Sequence, residues 1–233
     1  MTRRATPPDS GSPAERAAGI VAELRRQRSP HDIEGQRRFG ITPETEHLGL
    51  SMGTLRAVGK RHRRDHALAQ ALWTFPVHEA RMAAIFVADP NVLTVTEARA
   101  WARDFDNWAL VDGCCLHLLR KTSFAWTLAK SWRRQRALFV RRAGFVLAAT
   151  LAVHDKARAD TDFADVLRDC ERAAADDRNF VAKAVNWALR QIGKRNYGLR
   201  AEAIATAERI LALDSRSARW IARDALRELR AGG

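Results

Sequence analysis

Asp112 is the residue in this chain best placed to do chemistry. It ends the run Asn107-Trp108-Ala109-Leu110-Val111-Asp112, an acid among apolar neighbours, one helical turn after a tryptophan. At about 3.6 residues per turn, Trp108 and Asp112 project from one helix face, one above the other. A carboxylate beside an aromatic ring is either solvated surface, a brace for a turn, or a site for something positively charged. Two further segments bear on that choice. Arg142 lies in Phe139-Val140-Arg141-Arg142-Ala143-Gly144-Phe145, and Trp187 lies in Lys183-Ala184-Val185-Asn186-Trp187-Ala188-Leu189-Arg190. Taken singly, Arg142 reads as a structural partner for a carboxylate such as Asp112, and Trp187 as a core residue. Taken together, the three fall at similar places in successive helical segments, so one face of a helical array would collect them.

The elements that must position these residues are helices throughout. Residues 1–11 carry proline, glycine and small polar residues and read as a disordered tail. A single domain is expected over 12–233. Ser12 with Glu15 and Thr94 with Glu97 have capping-box spacing, and Pro13 suits a first helical position. Apolar residues at helical spacing predict helices over 12–27, 32–39, from Ser51 past Val58, 65–75, from Pro76 to Asp89, and 94–104. The segment bearing Asp112 is expected over 106–121. Further helices are expected over 123–132, 134–153, 162–175, 179–194, 200–213 and 216–229. No period-2 alternation indicates a strand. Helix pairs recurring at roughly 35 to 45 residues fit HEAT-type repeats, which stack into a curved solenoid with a long concave face. A compact helical bundle is the alternative.

The 233 residues carry a formal net charge of +13, which points to a polyanionic partner, most often nucleic acid. Cys114, Cys115 and Cys170 lack metal-binding or disulfide spacing and read as small apolar residues in a reducing compartment. The longest apolar run, 143–153, is too short to span a membrane, which leads to the expectation of a soluble cytoplasmic protein. The histidines show no metal-ligand spacing, so no metal and no cofactor are expected. Lys183, Arg190 and Lys194 recur along one face of the Trp187 helix. Arg56 and Lys60 recur along another, and Arg133, Arg134, Arg136 and Arg141 precede Arg142. Part of this basic set is expected to touch phosphate.

The run from Asn107 to Asp112 resembles the catalytic helix of the bacterial alkylpurine DNA glycosylases of the AlkD type. The segments around Arg142 and Trp187 resemble the next two signature stretches of that family. So do Leu48-Gly49-Leu50-Ser51 with Leu55-Arg56, and Trp73 followed by His78-Glu79-Ala80-Arg81. The likeness spans about residues 34–195 and departs at Asn107, where an aromatic can precede the tryptophan. It implies an all-α, right-handed superhelical solenoid of HEAT-like antiparallel helix pairs with a concave basic face. It also implies a monomeric, nucleoid-associated DNA repair enzyme that hydrolyses the N-glycosidic bond of 7-methylguanine or 3-methyladenine in duplex DNA.

In that family's chemistry the base is already cationic and a good leaving group, so no general acid is needed. The resemblance assigns Asp112 to stabilising the oxocarbenium-like sugar and orienting water. It assigns Trp108 and Trp187 to the lesion nucleotide, and Arg142 to the neighbouring phosphate and to Asp112. Arg56, Lys60, Arg141, Lys183, Arg190 and Lys194 would bind DNA. No lysine stands where a Schiff base would form, so lyase activity is not expected. Two other readings share the composition: a non-catalytic repeat protein that binds damaged or branched DNA by shape, and a scaffold for an acidic partner.

Overall fold

The structure is a computed structural model that describes residues 11–231. The tail expected over residues 1–11 lies, apart from Gly11, outside the described residues. The described residues form α-helices joined by short turns, with one 3-10 turn and one isolated bridge between Glu46 and Val77. No helix among them is long and apolar enough to cross a membrane. The chain divides into two compact units, one ending at Leu93 and the other beginning at Thr94. The single domain expected over 12–233 spans both.

The first unit holds α1 (Pro13–Arg26), α2 (Pro30–Arg38), α3 (Met52–Arg61), α4 (His66–Trp73) and α5 (His78–Val87). The capping box at α1 forms as the spacing predicts. Ser12 Oγ accepts from the Glu15 N–H at 3.3 Å, and the Glu15 carboxylate accepts from the Ser12 N–H at 2.8 Å. α3 and α4 both pack on α5. α5 carries Glu79, only 1% exposed, whose carboxylate accepts three backbone N–H groups. These come from Leu48 at 2.9 Å, Gly49 at 2.7 Å and Leu50 at 3.3 Å. A buried carboxylate is tolerable only when satisfied in this way. Gly49 makes the turn possible. Its φ is +77°, and a Cβ there would lie 2.6 Å from the Ser29 carbonyl oxygen.

The second unit holds α6 (Val95–Arg103), α7 (Trp108–His117), a 3-10 turn (Leu119–Lys121), α8 (Ala125–Trp132), α9 (Leu138–His154), α10 (Thr161–Ala173), α11 (Asn179–Gly193), α12 (Tyr197–Leu211) and α13 (Arg216–Ala231). Its helices lie in two layers. In one, α7 packs on α9, α9 on α11, and α11 on α13. In the other, α10 packs on α12. Successive pairs α8/α9, α10/α11 and α12/α13 join the layers. This is the repeated helix-pair arrangement the sequence pattern predicts. α9 is its centre, and every residue from Arg142 to Ala152 is buried.

Several boundaries differ from the sequence expectation. The predicted helix over 106–121 is α7 followed by the separate 3-10 turn. It starts at Trp108 because Asn107, buried at 2% exposure, is the N-cap and accepts from the Leu110 N–H at 3.1 Å. α9 starts at Leu138 rather than near 134, because the chain first turns, with the Gln135 N–H bonded to the Trp132 carbonyl at 3.1 Å. α12 starts at Tyr197 rather than 200, capped by Asn196, which accepts from Leu199.

Gly144 lets α9 meet the end of α8 closely. A Cβ at this position would lie 2.2 Å from the Arg133 nitrogen. That approach buries Arg133, whose side chain is 2% exposed and bonded to Asp169 of α10 at 3.1 and 3.0 Å. Arg133, expected to belong to a phosphate-facing cluster, is therefore an internal ion-pair partner.

Candidate active site

Asp112 stands one turn into α7, at the seam where α7, α9 and α11 meet. Its side chain is 14% exposed, and that of Arg142 is 7% exposed. The two form a bidentate pair. Arg142 Nε donates to Oδ1 at 2.9 Å, and Nη2 donates to Oδ2 at 2.7 Å. The fork of a guanidinium matches both oxygens of a carboxylate, which fixes its plane as well as its charge. The third nitrogen, Nη1, donates to the Phe180 carbonyl at the start of α11, at 2.8 Å. The Phe180 ring lies under the guanidinium at 6.0 Å and leans on Phe139 at 5.6 Å. Arg142 thus ties three helices together and aims Asp112.

Two opposing effects set the acidity of Asp112. Burial raises its pKa, because a charge loses water there, while the Arg142 charge and hydrogen bonds lower it. Burial dominates, so the carboxylate is more basic than a free aspartate.

Trp108 and Trp187 are each only partly buried, on α7 and α11 of the same layer. Trp73, Trp101 and Trp132 are buried core residues. The partial exposure of Trp108 and Trp187 removes the simplest objection to them, that they merely fill the interior. The structure thus brings Trp108, Asp112, Arg142 and Trp187 to one helix layer of one unit.

The basic residues separate into classes that the sequence does not distinguish. Lys183 is exposed on α11 with no ion pair among the described residues. Arg190 pairs with Glu228 of α13 and lies 3.7 Å from Asp224, and Lys194 also pairs with Glu228. Burial and the neighbouring Arg190 hold the Lys194 pKa below the ordinary lysine value. Arg141 pairs with Asp176 at 3.0 Å, and Arg178 grips the same carboxylate at 2.8 and 2.6 Å. The Arg178 hydrogen bonds are the main cause of a lowered Asp176 pKa. Arg134 is exposed but lies 3.4 Å from Asp169. Arg56 and Lys60 are exposed on α3 of the first unit, and Arg56 sits 6.0 Å from the Phe86 ring.

Sequence reasoning missed three groups here. Asn107 is a cap, and an Asn immediately before the first apolar helical residue is a readable signal for one. Asp224 and Glu228, one turn apart on an otherwise arginine-rich helix, signal pairing with a basic neighbour. The Phe180 carbonyl carries no side-chain signal at all.

Residues 20–229 match the DNA alkylation repair enzyme family, nearly the whole chain. The chain belongs to that family. No curated protein matches it. A solved structure from a family related to the HEAT-like repeat DNA glycosylases, with affinity for branched DNA structures, shares its fold. The TM-score is 0.76 at 17% identity, over 92% of this chain and 94% of that one.

Proposed function

We propose that this protein hydrolyses the N-glycosidic bond of cationic alkylpurines, 7-methylguanine and 3-methyladenine among them, in duplex DNA. The observation that carries this reading is the bidentate Asp112–Arg142 pair, on a helix layer that also carries two half-buried tryptophans, Trp108 and Trp187. An alkylated purine carries a positive charge. When its bond to C1′ breaks, the electron pair moves onto the base and neutralises it, and positive charge develops on the sugar. Asp112, ionised and fixed in direction, stabilises that charge and orients the water whose oxygen bonds to C1′. The water's proton leaves to the carboxylate or to solvent. The aromatic faces of Trp108 and Trp187 favour a cationic nucleotide by about 0.5–2 kcal/mol each. Arg142 acts chiefly on Asp112, since each of its nitrogens already has a protein partner. Any contact with phosphate uses the remaining N–H groups. Among the other cations, Lys183 is the best placed for backbone phosphate, with Arg56 and Lys60 as exposed candidates in the first unit. Arg141, Arg190 and Lys194 bind phosphate only by exchanging a carboxylate partner for it.

A second reading has its own support. Both Asp112 oxygens are engaged by Arg142, and the related solved structure belongs to a family with affinity for branched DNA. On that reading this chain binds branched or damaged DNA by shape and releases no base.

One assay separates the two: release of 7-methylguanine from methylated duplex, measured beside binding to intact and four-way-junction DNA. The enzyme reading expects release by the wild type. It also expects a loss of about 100- to 1000-fold in Asp112→Asn, with duplex affinity retained. Junction binding without release by the wild type leaves the second reading.

A further inference from the structure

Trp220 is the most exposed of the seven tryptophans, with a relative exposure of 45%. An exposed indole forgoes a large apolar contact, because a tryptophan can bury roughly 150–250 Å². It stands on α13, the helix after α11 in the layer that carries Trp108, Asp112, Arg142 and Trp187. α11 and α13 run side by side in one direction. Ser217 Oγ donates to the Asp176 carbonyl at 2.9 Å, Asn186 Nδ2 donates to the Ile221 carbonyl at 3.2 Å, and Arg190 reaches Asp224 and Glu228. Trp187 and Trp220 are each one residue from the Asn186–Ile221 contact. Trp220 thus stands one helix beyond Trp187 at nearly the same level, with about 8–10 Å between the axes of packed neighbours.

The charges around the ring are distributed selectively. Arg216 lies four residues before it and Arg223 three after, one turn away on either side and about 10 Å apart along the axis. Both are exposed and have no ion pair among the described residues. The other exposed arginines of α13 do have one. Arg219 pairs with Asp214 at 3.2 Å, Arg230 with Glu208 at 2.7 Å, and Arg227 with Asp224. The acids of the helix, Asp224 and Glu228, are also engaged from α11 by Arg190 and Lys194. The cations left without a carboxylate are thus the two that bracket Trp220. The apolar side of α13, with Ile221, Ala225 and Leu229, is already buried. It offers no apolar face to a lipid surface, and a second copy would set arginine against arginine.

We propose that α13 binds an unpaired nucleotide of a single-stranded segment adjoining the duplex. Its base stacks on Trp220, and the phosphates on either side of it pair with Arg216 and Arg223. The indole decides the class. In an intact duplex the neighbouring bases cover both faces of every base, so a protein ring finds no face to stack on. A nucleotide in a single-stranded segment has a free face, and stacking on an aromatic ring accepts any base. Guanidinium groups one turn to each side supply the backbone contacts that such sites combine with stacking. The inference needs DNA as the partner, but neither base excision at Asp112 nor recognition of a junction by shape.

The test uses the full chain and fluorescence anisotropy. A blunt duplex is compared with the same duplex carrying a thymidine tail at a 5′ or a 3′ end, and with a tail of abasic sugars that keeps the phosphates. The wild type is expected to bind a thymidine-tailed duplex about tenfold tighter than the blunt one, and the abasic tail is expected to lose most of that gain. Trp220→Ala should abolish the difference between thymidine and abasic tails while keeping the melting temperature and the affinity for blunt duplex. Trp220→Phe should keep most of the difference. Arg216→Gln with Arg223→Gln should weaken both tails alike and lower the logarithmic salt slope by about 0.7 per arginine. Equal affinity for blunt and thymidine-tailed duplex overturns the proposal and leaves the ring to an acidic protein partner. A thymidine preference that survives Trp220→Ala overturns it as well. A tail preference without any release of 7-methylguanine supports this inference and sinks only the base-excision reading.

Discussion

At the scale of single residues the site is a contest over one carboxylate. Burial raises the Asp112 pKa and Arg142 lowers it, with burial the larger effect. The working form on the glycosylase reading is the carboxylate. Base release should therefore rise with pH through a midpoint above that of a free aspartate, and then level off. Arg142→Gln removes the effect that holds the pKa down, so its acid limb should move to higher pH. A single-turnover pH profile of both proteins checks this. An unmoved limb would mean that Asp112 is not the titrating group. Asp112 and Arg142 were legible as candidates because acids and cations in apolar helical runs stand out by type, whereas Trp108 and Trp187 were marked only by their placement relative to them and by the family resemblance. The pairing geometry of Asp112 and Arg142 was not legible, since it depends on the Phe180 carbonyl, which no side chain advertises.

At the scale of elements, two contacts set where the site helices lie. Asn107 caps and starts α7, the helix on which Trp108 and Asp112 lie one turn apart. Asn107→Ala should cost about 1 kcal/mol, or up to ~2 for a cap this buried, seen as a lower melting temperature. Gly144 seats α9 against the end of α8, where the atoms a new Cβ would strike belong to Trp132 and Arg133 backbone. Backbone yields less than a flexible side chain, so Gly144→Ala should destabilise by about 1–3 kcal/mol or more in denaturant unfolding. It should also loosen Arg142, two residues earlier on the same helix. The capping boxes at Ser12 and Thr94 were legible because both partners lie three residues apart. The late start of α9 was not, because the turn before it is set by the packing of α8.

At the scale of the whole molecule, the net charge of +13 conceals how much of it is free. Arg133, Arg141, Arg178, Arg190 and Lys194 all have carboxylate partners, whereas Lys183 has none among the described residues. Duplex affinity should fall with salt in proportion to the phosphates contacted, each adding about 0.9 to the logarithmic slope. Lys183→Gln should reduce that slope by about one. Lys194→Gln should change it less, because Glu228 already offsets that charge. Equal effects from the two would show that Glu228 releases Lys194 when DNA arrives.

Local interactions are legible from the chain alone, and they determined much here. Apolar spacing determined the all-α class, near-neighbour caps determined several helix starts, and the excess of basic residues pointed to a polyanionic partner. The resemblance of the Asn107–Asp112 run, and of the stretches around Arg142 and Trp187, pointed to the DNA alkylation repair family. Only the tertiary structure decided which cations are free and which are bound to Asp169, Asp176 or Glu228. It alone brought Arg142 onto both oxygens of Asp112, and left Trp220 exposed. The reason is physical. A helix and its cap depend on residues three or four apart, whereas a buried charge or an exposed ring is defined by whatever the fold does or does not set against it from dozens of residues away.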